Sequence, residues 1–407
     1  MRVYKPSGIK WLGEIPQSWK NVSIRSCFTE SNQRCNTDSY PLLSVTIANG
    51  IIYQDDIENK KDISNDDKSN YKIVPLNAVT YNKMRMWQGA VGVNTLTIGI
   101  VSPAYIVAIP NEKILPNFVS YLFKSKIMIG EFDKNSYGLC LDMNNLRYDD
   151  FRNIKIPLPP LQEQKEIAEF LDKKCEKIQN YIDKKQKLIT LLQEKKQALI
   201  NEVVTKGLNP NIEFKPSGIA YLGLIPHHWE VRRMKFMASI HNGREQTEIA
   251  DENGIYPIYG SGGILGKSMY FIYDKPSVLL GRKGTIDKPL FVEEPFWTID
   301  TMFYTSISKI VLPKYFYYLC LTIDFQFYIS GSAIPSMTQY DLANISFALP
   351  PLQEQKQIAN FLDEKCEKIN SAIEKTKRQI ALIKEYKNTL INEAVCGRIN
   401  LQKKERI

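Results

Sequence analysis

The sequence predicts an α+β fold in which two mixed α/β domains are joined by two long helices that form an antiparallel coiled coil, with a pseudo-two-fold internal repeat. Three observations in the 407-residue chain predict this architecture. Two short blocks of sequence each occur twice, long heptad-patterned stretches follow one of these blocks, and the segments between the blocks are rich in strand-forming residues.

The repeat is confined to two blocks. The first begins Lys-Pro-Ser-Gly-Ile and ends on tryptophan; it covers residues 5–19 and returns at 215–229. The second covers residues 158–178 and returns at 349–369, with 18 of 21 positions identical. The offsets of 210 and 191 show that the segments between the blocks differ in length by 19 residues. A chain that keeps two surfaces the same and lets two others diverge is predicted to meet one kind of partner twice and two different ligands once each.

Two stretches that begin within the second block, 161–203 and 352–395, lack proline and glycine and are rich in Lys, Glu, Gln, Leu and Ile, which predicts two helices. About 40 residues at 1.5 Å each would make a rod of roughly 60 Å. The apolar residues recur at alternating steps of four and three, and Lys196 and Lys387 interrupt the pattern at the same place. This spacing favours two helices that pair with each other over two unrelated surface helices, and the repeat order predicts antiparallel packing.

These boundaries divide the chain into a first variable domain at 1–157, a first helical spacer at 158–207, a second variable domain at 208–348 and a second helical spacer at 349–407. Strand-like runs lie at 40–53, 78–86, 97–109, 254–259, 270–273, 277–280 and 296–307. A short helix that opens on Leu-Pro follows in each variable domain, because proline fits the first helical turn. Leu115 and Leu312 begin these helices at an offset of 197, which predicts one scaffold with two different surfaces.

Composition indicates a globular protein that approaches a polyanion. The chain is 43% hydrophobic and carries a formal charge of +9, which suits a nucleic-acid partner because each Lys or Arg set against a phosphate releases a counterion. Many basic proteins never bind nucleic acid, so charge alone leaves both alternatives open. No apolar run reaches the roughly 18 residues of a membrane span, and residues 1–6 lack an apolar signal core, so we expect a cytoplasmic protein with no membrane contact. Seven scattered cysteines without a Cys-x-x-Cys pair are expected to stay reduced.

The sequence offers no catalytic, metal or cofactor motif. Its three histidines lack metal-ligand spacing, and no nucleophile elbow or cofactor fingerprint occurs. Residues 261–268 resemble a phosphate-binding loop, but Ser261 stands where the first glycine belongs, and 269–273 has the pattern of a strand instead of a helix. We therefore expect a non-catalytic protein without a cofactor, in which residues 261–268 form a glycine-rich turn region.

Polar, basic and aromatic residues near strand ends are the candidates for DNA contact. Arg and Lys recognise guanine edges, Asn and Gln recognise adenine, and glycine lets the backbone approach phosphate. The alternative is that these tips are ordinary solvated turns, with Trp87 filling core. The predicted DNA-binding residues are Asn82, Lys83, Arg85, Trp87, Gln88, Asn94, Ser102, Tyr105, Ser261, Lys267, Arg282, Lys283 and Thr301.

The two helix starts are the candidates for partner docking, because a polar surface that is nearly identical in two copies predicts one partner used twice. Alternatively, Leu-Pro-Pro is a rigid helix start, and the repeated prolines, glycines and tryptophans only pack each variable domain. The predicted docking residues are Gln162, Glu163, Gln164, Lys165, Gln353, Glu354, Gln355 and Lys356.

The repeated motifs resemble those of the specificity subunits of type I restriction-modification enzymes. The resemblance rests on Lys-Pro-Ser-Gly-Ile-x-x-Leu-Gly-x-Ile-Pro-x-x-Trp at 5–19 and 215–229, and on Leu-Pro-Pro-Leu-Gln-Glu-Gln-Lys at 158–165 and 349–356. It implies two target-recognition domains, each reading one half of a bipartite asymmetric DNA sequence, with the helices as an antiparallel spacer. It also implies that methyltransferase subunits, usually two, dock along the helices and supply S-adenosylmethionine and adenine chemistry, and that a restriction subunit supplies ATP-driven translocation and cleavage.

The predicted function is therefore that of a non-catalytic reader of double-stranded DNA and an assembly scaffold. A coiled-coil DNA-binding adaptor or regulator that works without a modification enzyme is the alternative from a different class. An enzyme built on the phosphate-loop look-alike is a third hypothesis, and binding of ATP to the isolated chain would distinguish it.

Overall fold

The computed structural model describes residues 2–35, 40–57, 68–138, 144–329 and 335–401. The chain forms two compact units: unit 1 combines Met1–Lys184 with Arg378–Ile407, and unit 2 is Lys185–Lys377. Both boundaries fall inside the long helices. Each unit therefore contains one variable segment, the first half of one long helix and the second half of the other.

Unit 1 is built around a four-stranded sheet in the order β4-β11-β8-β9, covered by short helices. Its strands are β1 (Tyr4–Pro6), β2 (Glu14–Pro16), β3 (Lys20–Ser23), β4 (Phe28–Ser31), β5 (Leu43–Thr46), β6 (Gly50–Tyr53), β7 (Lys72–Val74), β8 (Val79–Asn82), β9 (Val91–Val93), β10 (Gly99–Val101), β11 (Tyr105–Pro110) and β12 (Lys155–Leu158). Its helices are α1 (Pro116–Lys124), α2 (Lys126–Lys134) and α3 (Tyr148–Phe151), followed by the long helix α4 (Leu161–Lys206).

Unit 2 repeats this plan, with a four-stranded sheet in the order β16-β22-β19-β20. Its strands are β13 (Phe214–Pro216), β14 (Leu224–Pro226), β15 (Glu230–Arg233), β16 (Ala238–Asn242), β17 (Tyr256–Gly260), β18 (Gly263–Ser268), β19 (Ser277–Gly281), β20 (Leu290–Val292), β21 (Trp297–Thr298), β22 (Met302–Ile307) and β23 (Ser346–Leu349). Its helices are α5 (Met234–Met237), α6 (Pro313–Cys320) and α7 (Gln339–Asn344), followed by the long helix α8 (Leu352–Val395). The matching sheet orders confirm that the dissimilar segments share one scaffold.

A two-stranded antiparallel stem closes each variable segment. In unit 1, β3 pairs with β12, so that Lys20 lies opposite Leu158. In unit 2, β15 pairs with β23, so that Glu230 lies opposite Leu349. The stem brings the residue after each repeated tryptophan to the residue before each Pro-Pro, which explains why the two repeated blocks flank the divergent sequence.

The helices pair antiparallel, as predicted. In unit 2, Lys196 Nζ donates to Asn370 Oδ1 at 2.9 Å, and Val203 and Val204 further along α4 share a core with Ile358 and Ala359 at the start of α8. Higher numbers on one helix thus meet lower numbers on the other. In unit 1, Arg2 contacts both Glu163 at the start of α4 and the carbonyl of Ile399 beyond the end of α8.

Most of the heptad seam predicted from the spacing is buried, and the rest of its apolar residues are half-buried. Lys196 and Lys387, which interrupt it, are half-buried, and Lys196 finds its partner in Asn370 on the facing helix. A polar pair at one position of a seam fixes register at some cost in stability. The buried seam residues are Ala168, Leu171, Ile178, Ile182, Ile189 and Val203 in α4, with Ala359, Leu362, Cys366, Ile373, Ile380, Leu390 and Ala394 in α8.

Each long helix ends on a glycine that packs against a repeated tryptophan. Gly207 and Gly397 have φ angles of 77° and 75°, a left-handed conformation that glycine adopts without strain and that stops a helix. A Cβ atom at Gly207 would lie 3.2 Å from the Trp229 ring, and one at Gly397 would lie 2.9 Å from the Trp19 ring. The helix that follows one variable segment therefore completes the packing of the other segment's leading motif.

The sequence pattern misplaced one strand. Residues 270–273 form no strand, with only an isolated bridge from Tyr273 to Phe296, whereas Gly263–Ser268 is β18. The turn at 261–262 joins β17 to β18, so the phosphate-loop look-alike is a β-hairpin. A strand follows the loop where phosphate binding requires the start of a helix.

The remaining expectations concern thiols and membranes. Cys27, Cys175, Cys320, Cys366 and Cys396 form no disulfide, and Cys140 lies outside the described residues. No helix within the described ranges combines the length and apolar content needed to cross a bilayer.

Candidate nucleic-acid interface

In unit 1, five of the predicted DNA-binding residues lie in one loop, 82–88, between β8 and β9. Asn82 Oδ1 accepts a hydrogen bond from Met84 N at 3.0 Å, which turns the chain out of the strand. Arg85 and Gln88 are exposed, and Lys83 is half-buried. Trp87 does not fill the core, because its ring is half-buried. Its Nε1 atom donates a hydrogen bond to Met84 O at 3.1 Å within the same loop.

Lys124 on α1 anchors the end of this loop. Its Nζ atom donates to Gly89 O at 3.1 Å and to Ile47 O at 2.7 Å in the turn between β5 and β6. Burial lowers the pKa of Lys124 to about 8. Lys124 holds two surface turns together through backbone oxygens, a role that the sequence did not reveal because nothing in its spacing singles out this lysine.

Two further predicted residues join the 82–88 loop, and one does not. Tyr105 pairs with Asn82 in the sheet, and its backbone N donates to Ser102 O at 3.0 Å; burial raises the pKa of the Tyr105 hydroxyl. The prediction for Asn94 is wrong because its side chain is fully buried. Asn94 Nδ2 donates to the carbonyls of Val74, Pro75 and Thr97, so this amide holds a turn together.

In unit 2, four predicted residues meet at the end of β19. The backbone N atoms of Arg282 and Lys283 donate to Thr301 O at 2.9 and 3.3 Å, and Ser261 N donates to Thr301 Oγ1 at 3.4 Å. Lys283 is exposed, and Arg282 is half-buried with its guanidinium 5.9 Å from the Phe303 ring centroid. Lys267 is exposed on β18, on the hairpin whose turn includes Ser261.

The two clusters occupy equivalent places on equivalent sheets. β8 pairs with β11, and β19 pairs with β22. In each unit the candidate residues lie at the carboxyl end of the first of these two strands. The same kind of contact holds both loops: Leu146 N donates to Lys83 O at 2.8 Å, and Met337 N donates to Arg282 O at 3.0 Å. Two copies of one scaffold therefore present different side chains from the same position.

At the helix starts, half of the predicted docking residues are engaged within the chain. Glu163 Oε2 accepts from Trp19 Nε1 at 2.7 Å, and Glu354 Oε2 accepts from Trp229 Nε1 at 3.1 Å and lies 2.8 Å from His228 Nε2. These carboxylates bind the repeated tryptophans, which accounts for the identity of both partners.

The assignment of Gln164 and Gln355 to a docking surface is wrong because both side chains are fully buried. Gln355 Oε1 accepts from Leu312 N at 2.8 Å, while Nε2 donates to Ile310 O and Pro350 O at 3.0 and 2.8 Å. Gln164 makes the matching bonds to Leu115 N, Lys113 O and Pro159 O. Each glutamine fastens the Leu-Pro start of a short helix to the start of a long one.

Four predicted docking residues remain on the surface: Gln162, Lys165, Gln353 and Lys356 are exposed. Leu161 and Leu352, which the sequence reasoning passed over, stand beside them with 46% and 47% of their surface exposed. Both leucines directly follow Pro-Pro in the repeated block, and this identity in two copies could have identified them as candidates. These six residues are called the docking patches below.

Replacing Gln355 by alanine is expected to lower the free energy of unfolding by about 3 kcal/mol, because Leu312 N, Ile310 O and Pro350 O lose their shared partner in a buried site. Gln353→Ala is the matched control: this glutamine is exposed, and we expect a change within about 0.5 kcal/mol. Urea unfolding of both variants measures the difference. Equal midpoints for the two variants would contradict the structural role of Gln355.

The environment of His241 is that of a packed ring. His241 Nε2 lies 2.9 Å from Ser306 Oγ, and its ring stacks on Tyr304. Across the part of the chain that the structure describes, no three His, Cys, Asp or Glu side chains converge as a metal site would require.

The family model of the type I restriction modification DNA specificity domain matches residues 16–191 and 226–382, once for each repeat. The chain belongs to this family. A specificity subunit is the recognition component of its system, so membership confirms the prediction of a non-catalytic protein. Membership also confirms the resemblance carried by the repeated motifs.

Two similar proteins match 99% and 62% of this chain. A protein of Methanocaldococcus jannaschii named as the type I restriction enzyme MjaX specificity subunit is 24% identical, with 99% of each chain covered. The MjaVIII specificity subunit of the same organism is 28% identical over 62% of this chain and 64% of its own. A chain in a solved structure of complex assembly in a type I restriction-modification system superposes with a TM-score of 0.73 at 15% identity, covering 95% of this chain and 99% of the other, which confirms the fold.

Proposed function

We propose that this specificity subunit reads a bipartite, asymmetric DNA target, one half with each variable domain, and assembles the complex that modifies it. The observation that carries the proposal is the pair of equivalent sheets whose loops differ. The 82–88 loop and the Arg282–Lys283 cluster follow corresponding strands, yet share no side-chain pattern. One scaffold with two sets of side chains is suited to two different half-sites.

The chemistry of the two clusters fits contact with duplex DNA. Arg85, Arg282 and Lys283 supply cations that can read guanine, and Gln88 supplies an amide that can read adenine. Lys83 and Lys267 are placed beside these readers, where a lysine against a phosphate positions the duplex. In this proposal the reading domains are residues 1–157 and 208–348, and the spacers are 158–207 and 349–407.

The docking patches support the assembly half of the proposal. Lys165 and Lys356 are exposed and identical, although neither makes a buried contact that would explain its identity. Two patches of one composition suit two copies of one methyltransferase subunit, with a restriction subunit as a further partner of the complex. In this proposal the methyltransferase brings the S-adenosylmethionine cofactor.

The helices are proposed to set the distance between the half-sites. Inserting four residues after Lys185 and four after Lys377 adds about 6 Å of helix, and we expect the tolerated gap to lengthen by about two base pairs. Sequencing of methylated sites measures the gap directly. A longer helix with an unchanged gap would contradict the role of the spacer. An insertion at the exposed residues 293–294, between β20 and β21, is the control that should leave the gap as it is.

Sequencing of methylated adenines with and without this chain, in cells that carry its methyltransferase subunit, tests the whole proposal. We expect an asymmetric two-part motif that disappears when the chain is removed. A stand-alone DNA-binding regulator would leave the methylation pattern unchanged and would not purify with a methyltransferase. That outcome would favour the alternative function.

A further inference from the structure

Two aliphatic side chains stand next to each other on the surface of the β17–β18 hairpin. Ile264 and Leu265 are 64% and 53% exposed. Neighbours in a regular strand face opposite sides of a sheet, so that one of the two is normally covered. Here the register between β17 and β18 shifts at Ile258 and Tyr259, and such a bulge redirects side chains. The hairpin therefore presents both residues to solvent.

The hairpin is held in place by its own sheet. β17 pairs in parallel with β21 through Ile258 and Tyr259, and Ile299 N donates to Tyr259 O at 3.0 Å. Leu265 packs over Gly260, where a Cβ atom would lie only 2.7 Å from Leu265 Cδ1. The hairpin that carries the exposed pair is therefore fixed by its pairing with β21.

Three cations, Lys267, Arg282 and Lys283, lie close to the pair. The hairpin turn contacts the Arg282–Lys283 cluster through Thr301, which binds Ser261 N with its side chain and both cationic residues with its carbonyl. Residues 261–267 and 281–284 include no acid, whereas Asp251 and Asp300 contact the cations through backbone atoms: Asp251 N donates to Lys267 O, and Arg282 Nη1 donates to Asp300 O. An apolar pair edged by Lys267, Arg282 and Lys283 suits a polyanion that also displays apolar groups.

We propose that the β17–β18 hairpin enters the major groove of the half-site read by unit 2, and that Ile264 and Leu265 contact the C5-methyl groups of thymine there. This inference rests on the proposed function. The major groove accepts a two-stranded β-ribbon, and the thymine methyl is its apolar feature, recognised by apolar side chains. The cations beside the hairpin would meet phosphates or guanine edges on either side of the thymine.

The test uses the full chain in complex with its methyltransferase subunit and a duplex that carries the methylated motif. Each thymine is replaced in turn by deoxyuridine, which removes only the methyl group, and affinity is measured by fluorescence anisotropy at one salt concentration. We expect about a fourfold loss at one or two thymines of a single half-site. The double variant Ile264→Ala, Leu265→Ala is expected to bind thymine and uracil duplexes equally.

Ile255→Ala is the matched control. Ile255 is 69% exposed in the same unit, ahead of β17 and away from the turn, and its variant should discriminate like the parent. The single variant Ile264→Ala, which leaves the Leu265 contact with Gly260 intact, should lose part of the discrimination if the hairpin fold is kept.

The inference would be overturned if the double variant preferred thymine over uracil as strongly as the parent does. It would also be overturned if the parent showed no such preference at any thymine. Loss of the methyltransferase from the double variant, without any effect of uracil, would assign the hairpin to a protein partner and also overturn it. Failure of the parent complex to prefer its motif over a scrambled duplex would instead refute the proposed function.

Discussion

Exchanging residues 24–154 for the corresponding segment of another specificity subunit is expected to change one half of the methylated motif completely and to leave the other half unchanged. The stem explains the choice of junctions. β3 (Lys20–Ser23) pairs with β12 (Lys155–Leu158). Junctions after Ser23 and before Lys155 therefore keep both strands of the stem and the buried Trp19. The segment between the junctions contains the 82–88 loop and the Lys124 anchor.

Mapping methylated adenines in cells that carry the exchanged chain measures the outcome. The reciprocal exchange of residues 234–345, inside the β15–β23 stem, is the control and should change only the other half. A single exchange that altered both halves would contradict independent reading by the two domains. Loss of all methylation would call for a check that the exchanged chain still purifies with the methyltransferase.

Reversing both docking-patch charges, Lys165→Glu with Lys356→Glu, is expected to reduce methylation in cells at least tenfold. Two acidic side chains would replace two cations where the partner surface is proposed to dock, and like charges placed against each other weaken an interface by several kcal/mol. The fold should persist, since among the described residues the change removes one ion pair, that of Lys165 with Glu169, which is exposed and 4.0 Å long. Co-purification of the methyltransferase subunit and thermal unfolding measure the two effects separately.

Lys173→Glu is the matched control for this double variant. The chain already has Glu364 at the corresponding position of the second repeat, and both residues are exposed. We expect Lys173→Glu to purify with the methyltransferase like the parent. If the control and the double variant weaken the association equally, net charge and not the docking patches would explain the loss.

The sequence predicted the features that depend on periodicity or on repetition. The seam from Ala168 to Val203 follows from heptad spacing alone, and the Leu-Pro starts at Pro116 and Pro313 follow from the restricted φ of proline. Arg282 and Thr301 come together because Gly281 at the end of β19 pairs with Met302 at the start of β22. The sequence run 296–307 did not mark the start of β22 just after Thr301.

The failures share a physical cause. Asn94 and Gln164 are polar side chains that tertiary contacts bury, and backbone groups satisfy their amides. A buried amide that bonds to carbonyls distant in sequence leaves no local signature, since its partners are main-chain atoms of any residue type. The strand at Gly263–Ser268 was missed because two glycines and a lysine lower its propensity, while pairing with β17 outweighs that preference.

The division of the helices between the units has a consequence for biosynthesis. Unit 2 is one continuous stretch, Lys185–Lys377, whereas unit 1 needs Arg378–Ile407 in addition to the first 184 residues. Chains emerge from the ribosome amino-terminus first. Trp19 can therefore pack against the turn at Gly397 only after nearly the entire protein has been synthesised. The half of the molecule that is made first is therefore completed last.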